Sequence, residues 1–291
     1  MYPVLISIGD ISISSFGFMI VIAFLSTNYI LKKDFIRYGY DPDFADDMIF
    51  RAALGGIIGA KIYYLIENTG NGSYENIYGL VNIFYGLINF DSAQISLGIQ
   101  SFGAGLVFLG GLIGGLLMVT LFVRKKSLDW LKMADIIAPL IALGHGIGRI
   151  GCLLVGDDYG IPTSLPWGIS FPNGAPPSTA YYIERAGHSL PDSISPGTVL
   201  AVHPTQIYEM LLYFIIFLFL RAILKKEHFD GEVFVNYLFL GGLSRFLVEF
   251  LRLNPKYYMN LSGAQYISII MILISIVWHY YYRKNILHGK D

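Results

Sequence analysis

Two arginines lie inside stretches apolar and long enough to cross a bilayer: Arg149 in IIAPLIALGHGIGRIGCLLVG and Arg245 in VFVNYLFLGGLSRFLVEFLR. A charged side chain at membrane depth costs several kcal/mol, so it faces a bundle interior or a watery cavity. Arginine keeps its charge, and its planar fork matches phosphate or carboxylate. Two such forks in one bundle point to an anionic, phosphorylated ligand. At helical spacing His145, Arg149 and Cys152 share one face, which presents an imidazole, a guanidinium and a thiol. Glu249 follows Arg245 by four positions and Arg252 follows Glu249 by three, so these three also share a face. An ion pair within the helix is the plainer reading. Two arginines around one glutamate leave a positive surplus, which needs a ligand or a counter-charge.

Three further groups join these candidates. In His203-Pro204-Thr205-Gln206-Ile207-Tyr208-Glu209 the proline suits a first helical turn. His203 then lies at a cap, and Gln206 and Glu209 face inward together, as a polar helix entrance or a second wall of the site. Lys61, in GGIIGAKIYYLIEN, is another cation at membrane depth; its long stem could carry the charge outward to the membrane surface, but the glycines before it suggest a packed or cavity-facing helix. Asp157 and Asp158 end the Arg149 helix as turn formers, cation ligands or partners for Arg149.

The elements that must position these residues are membrane helices. Of 291 residues, 54% are hydrophobic and 14% charged, and mean hydropathy is +0.56, outside the soluble range. The expected fold is all-α: a polytopic bundle of about seven spans, each near the length a bilayer requires. The spans are 15–31, 47–66, 103–123, 135–155, 206–224, 232–251 and 263–282. Residues 77–90 are broken by Gly and Asn and read as an interfacial segment. The first span has no positive leader before it, so it reads as a retained helix. Residues 1–291 form a single membrane domain, with 156–202 inserted between spans four and five as a Pro-, Gly- and Ser-rich head of loops and short turns.

Basic residues set the orientation. Lys32, Lys33 and Arg37 follow the first span, and Arg124, Lys125, Lys126 and Lys132 the third. Lys225 and Lys226 follow the fifth, and Arg283, Lys284 and Lys290 the last. The loops between are poor in positive charge. This places the N-terminus and the 156–202 head outside and the C-terminus in the cytoplasm. No basic stripe suggests nucleic acid. A single cysteine, Cys152, excludes an intramolecular disulfide and a multi-cysteine metal site. Gly55 with Gly59, Gly110 with Gly114, Gly111 with Gly115 and Gly144 with Gly148 have the spacing of close helix contacts.

GRIG at 148–151, HPTQIYE at 203–209 and RFLVEFLR at 245–252, in this order, resemble the signature blocks of the prolipoprotein diacylglyceryl transferase family. IGDISISSFGFMIVIAF and GAGLVFLGGLIGG sit where that family has further blocks. The resemblance implies seven membrane helices with an extracytoplasmic head, in the bacterial cytoplasmic (inner) membrane. It implies transfer of a diacylglyceryl group from phosphatidylglycerol to the lipobox cysteine of a prolipoprotein, with glycerol phosphate as leaving group. Neither cofactor nor metal is called for. The family's functional arginines map onto Arg149 and Arg245, and its glutamate and second arginine of the sixth span onto Glu249 and Arg252. Lys61, Asp157, His203, Gln206 and Glu209 are candidates for substrate binding.

The chain also departs from the pattern. Leu109 stands where the family has a catalytic histidine, Phe16 where it has tyrosine, Cys152 where it has asparagine and Asp157 where it has glutamate. A thiol must lose its proton to attack, so a base is wanted; His145 or Glu249 would supply it. Two other readings remain: a paralogue with the same phospholipid pocket and another acceptor, favoured by the lost histidine and tyrosine, and a lipid-binding or transport protein without chemistry.

Overall fold

The computed structural model describes residues 1–8, 11–69, 73–103, 105 and 107–288. Lys290, used above for orientation, lies outside them, as do Gly9, Asp10, Ala104 and Leu106 of the quoted blocks. The chain opens with two short paired strands, β1 (Val4–Ile8) and β2 (Ile11–Ser14). Helices follow: α1 (Ser15–Tyr38), α2 (Asp43–Glu67), α3 (Ser73–Asn89), α4 (Ser92–Gly103), α5 (Phe108–Lys125) and α6 (Trp130–Val155). Then come β3 (Ile169–Ser170), α7 (Ala180–Arg185), β4 (Ala201–Val202), α8 (Thr205–Leu224), α9 (Glu232–Val248) and α10 (Gly263–His288). Two compact units result. One holds Met1–Leu5, Ile13–Leu31 and the chain from Leu131 onward; the other holds Ile6–Ser12 and Lys32–Trp130.

Among the described residues six helices are long and apolar enough to cross a membrane: α1, α2, α6, α8, α10 and the stretch Glu232–Leu251. The chain is thus a multi-pass helical membrane protein. The expected span 103–123 falls on α5, which starts later, at Phe108, and ends on Arg124 and Lys125. The expected interfacial stretch 77–90 lies in α3 up to Asn89, with Phe90 in the turn that follows; α3 pairs with α4 as a helical hairpin. At 17 residues α3 is at the lower limit of a span, and at 12 residues α4 falls short of one.

In the second unit, α2 and α5 meet backbone to backbone. A Cβ on Gly59 would strike the Gly110 carbonyl, and one on Gly114 the Gly55 carbonyl. Without side chains at these positions the two backbones reach van der Waals distance, which is what holds helices together where lipid offers no hydrophobic drive. The fourth expected pair is looser: Gly144 and Gly148, in the first unit, have their nearest neighbours at 3.7 and 4.0 Å. Lys61 is buried at 6% exposure. Its ammonium donates to Asn76 Oδ1 and to the Phe102 carbonyl at 2.5 Å and lies 4.6 Å from the Phe102 ring centre. It is therefore packed within the unit and does not reach toward a membrane surface.

In the first unit, α6 is tied to both α1 and α9. Gly151 lets Phe16 and Met19 of α1 approach to 3.1 and 3.2 Å of its Cβ position. At the other end of α6, the buried Asp135 carboxylate accepts from the amides of Gly231 (2.6 Å) and Phe234 (2.8 Å). It thereby satisfies two of the donors that the start of α9 leaves open. Ser262 and Gln265 bond reciprocally through side chain and amide at the start of α10, a capping box. The 156–202 insertion is mostly loop, as expected, but it has a small core of Tyr159, Phe171, Ile183 and Val202. Antiparallel β3 and β4, with Ile169 opposite Val202, close it.

We expect Gly59→Leu to lower the melting temperature of the detergent-solubilised protein. Forced helix separation would cost about 1–3 kcal/mol. Gly197→Ala, with open space around it, should leave the melting curve unchanged.

Candidate active site

The site is built around one carboxylate. Glu209, in the first turns of α8, is fully buried, at 0% exposure. Its Oε2 contacts Arg149 Nε from α6, and its Oε1 contacts Arg245 Nη1 from α9. Arg252 Nη1 lies 3.6 Å from Oε1. Glu249 takes the other side of the pair, with Oε2 at 3.1 Å from Arg245 Nη2 and 3.7 Å from Arg252 Nε. Asn254 Nδ2 donates to Glu249 Oε1 at 2.6 Å. Asp158 bridges Arg149 Nη1 (2.7 Å) and Arg252 Nη2 (2.6 Å).

The positive surplus expected from the sequence is absent. Three arginines meet three paired carboxylates, Glu209, Glu249 and Asp158. Glu209 and Asp158 come from other segments, so local spacing could not count them. This is the balance that low dielectric demands, since an unpaired buried charge is strongly unfavourable. Helical geometry also changes within the motif. The helix α9 ends at Val248, Glu249–Leu251 form a 3-10 turn, and Arg252 is extended. The Arg245–Glu249–Arg252 contacts survive this change.

The expected face of α6 does form. Arg149 Nε donates to His145 Nε2 at 3.4 Å, and Nη1 reaches Cys152 Sγ at 3.5 Å. His145 Nε2 is 3.6 Å from Glu209 Oε2, and its ring stacks on Tyr213 at 3.7 Å. Tyr213 went unnoticed in the sequence; its position four after Glu209, on the same face of α8, was the available signal. Asp158 was foreseen only as one of several options.

Loop 156–160 is fixed by α8 and by the chain after α9. Gln206, buried at 1% exposure, donates from Nε2 to the Asp157 carbonyl at 2.5 Å. Thr205 Oγ1 donates to the Asp158 carbonyl at 2.6 Å. Gly160 packs on the Leu251 carbonyl, where a Cβ would clash. Asp158 adopts the left-handed region at φ 60°, which aspartate tolerates better than most residues. Burial works to raise the Asp158 pKa, but the Arg252 and Arg149 guanidiniums outweigh it and hold the carboxyl below its ordinary value. For Asp157, burial, seconded by the Asp158 charge, pushes the carboxyl up to about 6.

Arg149, Arg245, Arg252, Glu209, Glu249 and His145 therefore come together, with Gln206 and Asp157 at the edge. His203 turns elsewhere: its Nδ1 is 3.2 Å from Tyr208 Oη, which also accepts from Trp167 Nε1 at 2.8 Å. The cap of α8 is Pro204, not His203. Lys61 belongs to the other unit, on α2. The donor atoms of Cys152, Asp157 and Asp158 lie within 4.8 Å of one another. Arg149 and Arg252 already hold Asp158, so a cation there would face two guanidiniums.

Glu209→Gln keeps the shape of the side chain but leaves Arg149 and Arg245 without their shared counter-charge. A loss of about 3–5 kcal/mol is expected, read as a lowered melting temperature in detergent.

The chain matches the family described as prolipoprotein diacylglyceryl transferase over residues 3–281. A phosphatidylglycerol–prolipoprotein diacylglyceryl transferase of Clostridium tetani is 34% identical, covering 95% of this chain and 96% of that protein. The corresponding transferase 2 of Clostridium perfringens is 31% identical, with 99% and 96% covered. The transferase of Geobacter sulfurreducens is 30% identical, with 94% and 92% covered. With the match running almost end to end, this chain belongs to the prolipoprotein diacylglyceryl transferase family.

Proposed function

We propose that this protein transfers the diacylglyceryl group of phosphatidylglycerol to the lipobox cysteine in the signal peptide of a prolipoprotein, releasing glycerol phosphate. Lipid of the surrounding bilayer is its donor pool, and nucleic acid has no part. The observation that carries the reading is the guanidinium cluster of Arg149, Arg245 and Arg252 in a chain of this family. Breaking the carbon–oxygen bond to phosphate builds negative charge on the leaving group. Fixed guanidinium donors in a low-dielectric site stabilise that charge strongly.

The three arginines are already balanced by the three carboxylates paired with them, so an incoming phosphodiester needs a place among them. Asp158 offers that place. Its side chain is 41% exposed, against 0% for Glu209 and 1% for Glu249. It places one carboxylate oxygen on Arg149 and the other on Arg252, as two phosphate oxygens would. In our reading the phosphate displaces Asp158, while Glu209 and Glu249 stay to aim the three forks. Gln206 holds the loop, and His145 supports Arg149.

Orientation follows from the basic loops: N-terminus and the 156–202 head outside the bacterial cytoplasmic membrane, C-terminus inside. In that orientation Arg149 and the start of α8 lie toward the outer leaflet, where a secreted precursor presents its cysteine. Leu109 and Phe16, in place of the family's histidine and tyrosine, favour a second reading, a paralogue with another acceptor.

The test is incubation of the purified protein with labelled phosphatidylglycerol and a lipobox peptide. Glycerol phosphate release together with peptide lipidation is expected. Release without lipidation favours the paralogue, and binding without turnover a lipid-binding protein. Arg245→Lys, which loses the planar fork, should lower kcat by about 100–1,000-fold.

A further inference from the structure

Within the proposed reaction, the geometry points to Asp157 as the group that takes the proton from the acceptor thiol. The inference rests on the transferase reading above. Three of the four acidic groups at the site are occupied: Glu209, Glu249 and Asp158 each sit in ion pairs with arginines. A carboxylate in that state is a poor proton acceptor, because accepting a proton forfeits the pairing. His145 Nε2 already takes the Arg149 hydrogen bond. Asp157 is different, because its carboxylate has no ion pair among the described residues; its side-chain partner is the Cys152 thiol, and its Oδ1 is buried without a hydrogen bond.

The place beside it already accommodates a thiol. Cys152 Sγ lies within 4.8 Å of the Asp157 carboxylate and 3.5 Å from Arg149 Nη1. A second thiol approaching this edge would find the same two groups, a carboxylate to take its proton and a guanidinium to steady the thiolate. Gln206, bonded to the Asp157 carbonyl, holds the loop in register. The charged and titratable groups facing Asp157 are Cys152 and Arg149 on α6, Asp158 beside it and Arg252 after α9. Burial and Asp158 raise the Asp157 carboxyl to about 6. It is then ionised at neutral pH and more basic than an ordinary carboxylate, as a general base should be.

The step balances. The acceptor S–H bond breaks and its proton goes to Asp157. A bond forms from sulfur to the diacylglyceryl methylene, and the bond from that carbon to the phosphate oxygen breaks. Glycerol phosphate leaves with the electron pair, held by the arginines. Asp157 then returns the proton to solvent or to the departing phosphate.

The test uses the full chain in detergent with phosphatidylglycerol and a lipobox peptide, reading lipidated peptide from pH 5 to 8. Wild-type activity should fall as pH drops through about 6. Asp157→Asn should lose about 100-fold or more in kcat at pH 7, with KM for phosphatidylglycerol little changed and the acid limb gone. A peptide carrying selenocysteine, whose selenol is already ionised at neutral pH, should restore most of the lost rate. A purely structural role would not be rescued this way. Should Asp157→Asn fold poorly, the selenocysteine peptide with wild type still decides: its acid limb should flatten, and an unchanged limb overturns the inference. Full activity in Asp157→Asn, or a defect that selenocysteine leaves untouched, overturns it as well. If wild type lipidates no peptide at all, the transferase reading falls, and this inference with it.

Discussion

A carboxylate with no exposed surface, in a helix apolar enough to span a bilayer, can stay ionised only if guanidiniums surround it. Glu209 is that group, and its partners come from α6, from α9 and from the chain just after α9. The need to pair it draws these elements to one point more specifically than apolar contacts could, since lipid is as apolar as the side chains it would replace. Asp135 plays a similar part at the opposite end of α6, where it satisfies the first amides of α9. One helix is thus tied near both ends by buried carboxylates, and its register against α9 is set.

The loop that carries Asp157 and Asp158 inherits its position from both sides. Thr205 and Gln206 at the start of α8 hold its carbonyls. On its far side Tyr159 enters the head's core, stacks on Phe171 at 5.4 Å and donates to the Pro177 carbonyl at 2.8 Å. The head is short of regular structure, yet it anchors the residue next to the arginine-bridging carboxylate. Its packing therefore bears on the geometry of the site as directly as the membrane helices do.

The charge balance of the cluster shapes how it can work. Three cations pair with three anions in this site, so in the proposed reaction a phosphodiester would enter by exchange with one of the anions. The more exposed Asp158 is the group suited to give way, while the two glutamates are enclosed. Asp157, left out of the pairing, keeps a lone pair available. Ligand recognition and proton removal can then rest on neighbouring carboxylates whose environments push them in opposite directions, one lowered by arginines and one raised by burial.

Much of this was legible in the chain itself. Long apolar stretches named the membrane helices, because bilayer thickness dictates their length. The part-buried arginines Arg149 and Arg245 followed from their apolar surroundings, while the α6 face of His145, Arg149 and Cys152 and the Gly59–Gly110 type of contact followed from helical spacing, a purely local property. What spacing could not supply was the account of charge. The expected surplus around Glu249 vanished once Glu209 and Asp158 arrived from elsewhere in the chain. His203 turned toward Tyr208, and Lys61 found its partners within its own unit. Sequence alone determined which residues must be buried and carry charge, since that depends on hydropathy and periodicity. Only the tertiary structure decided which charges neutralise which, because pairing depends on distances between segments far apart in the chain, and at low dielectric those distances govern the energy.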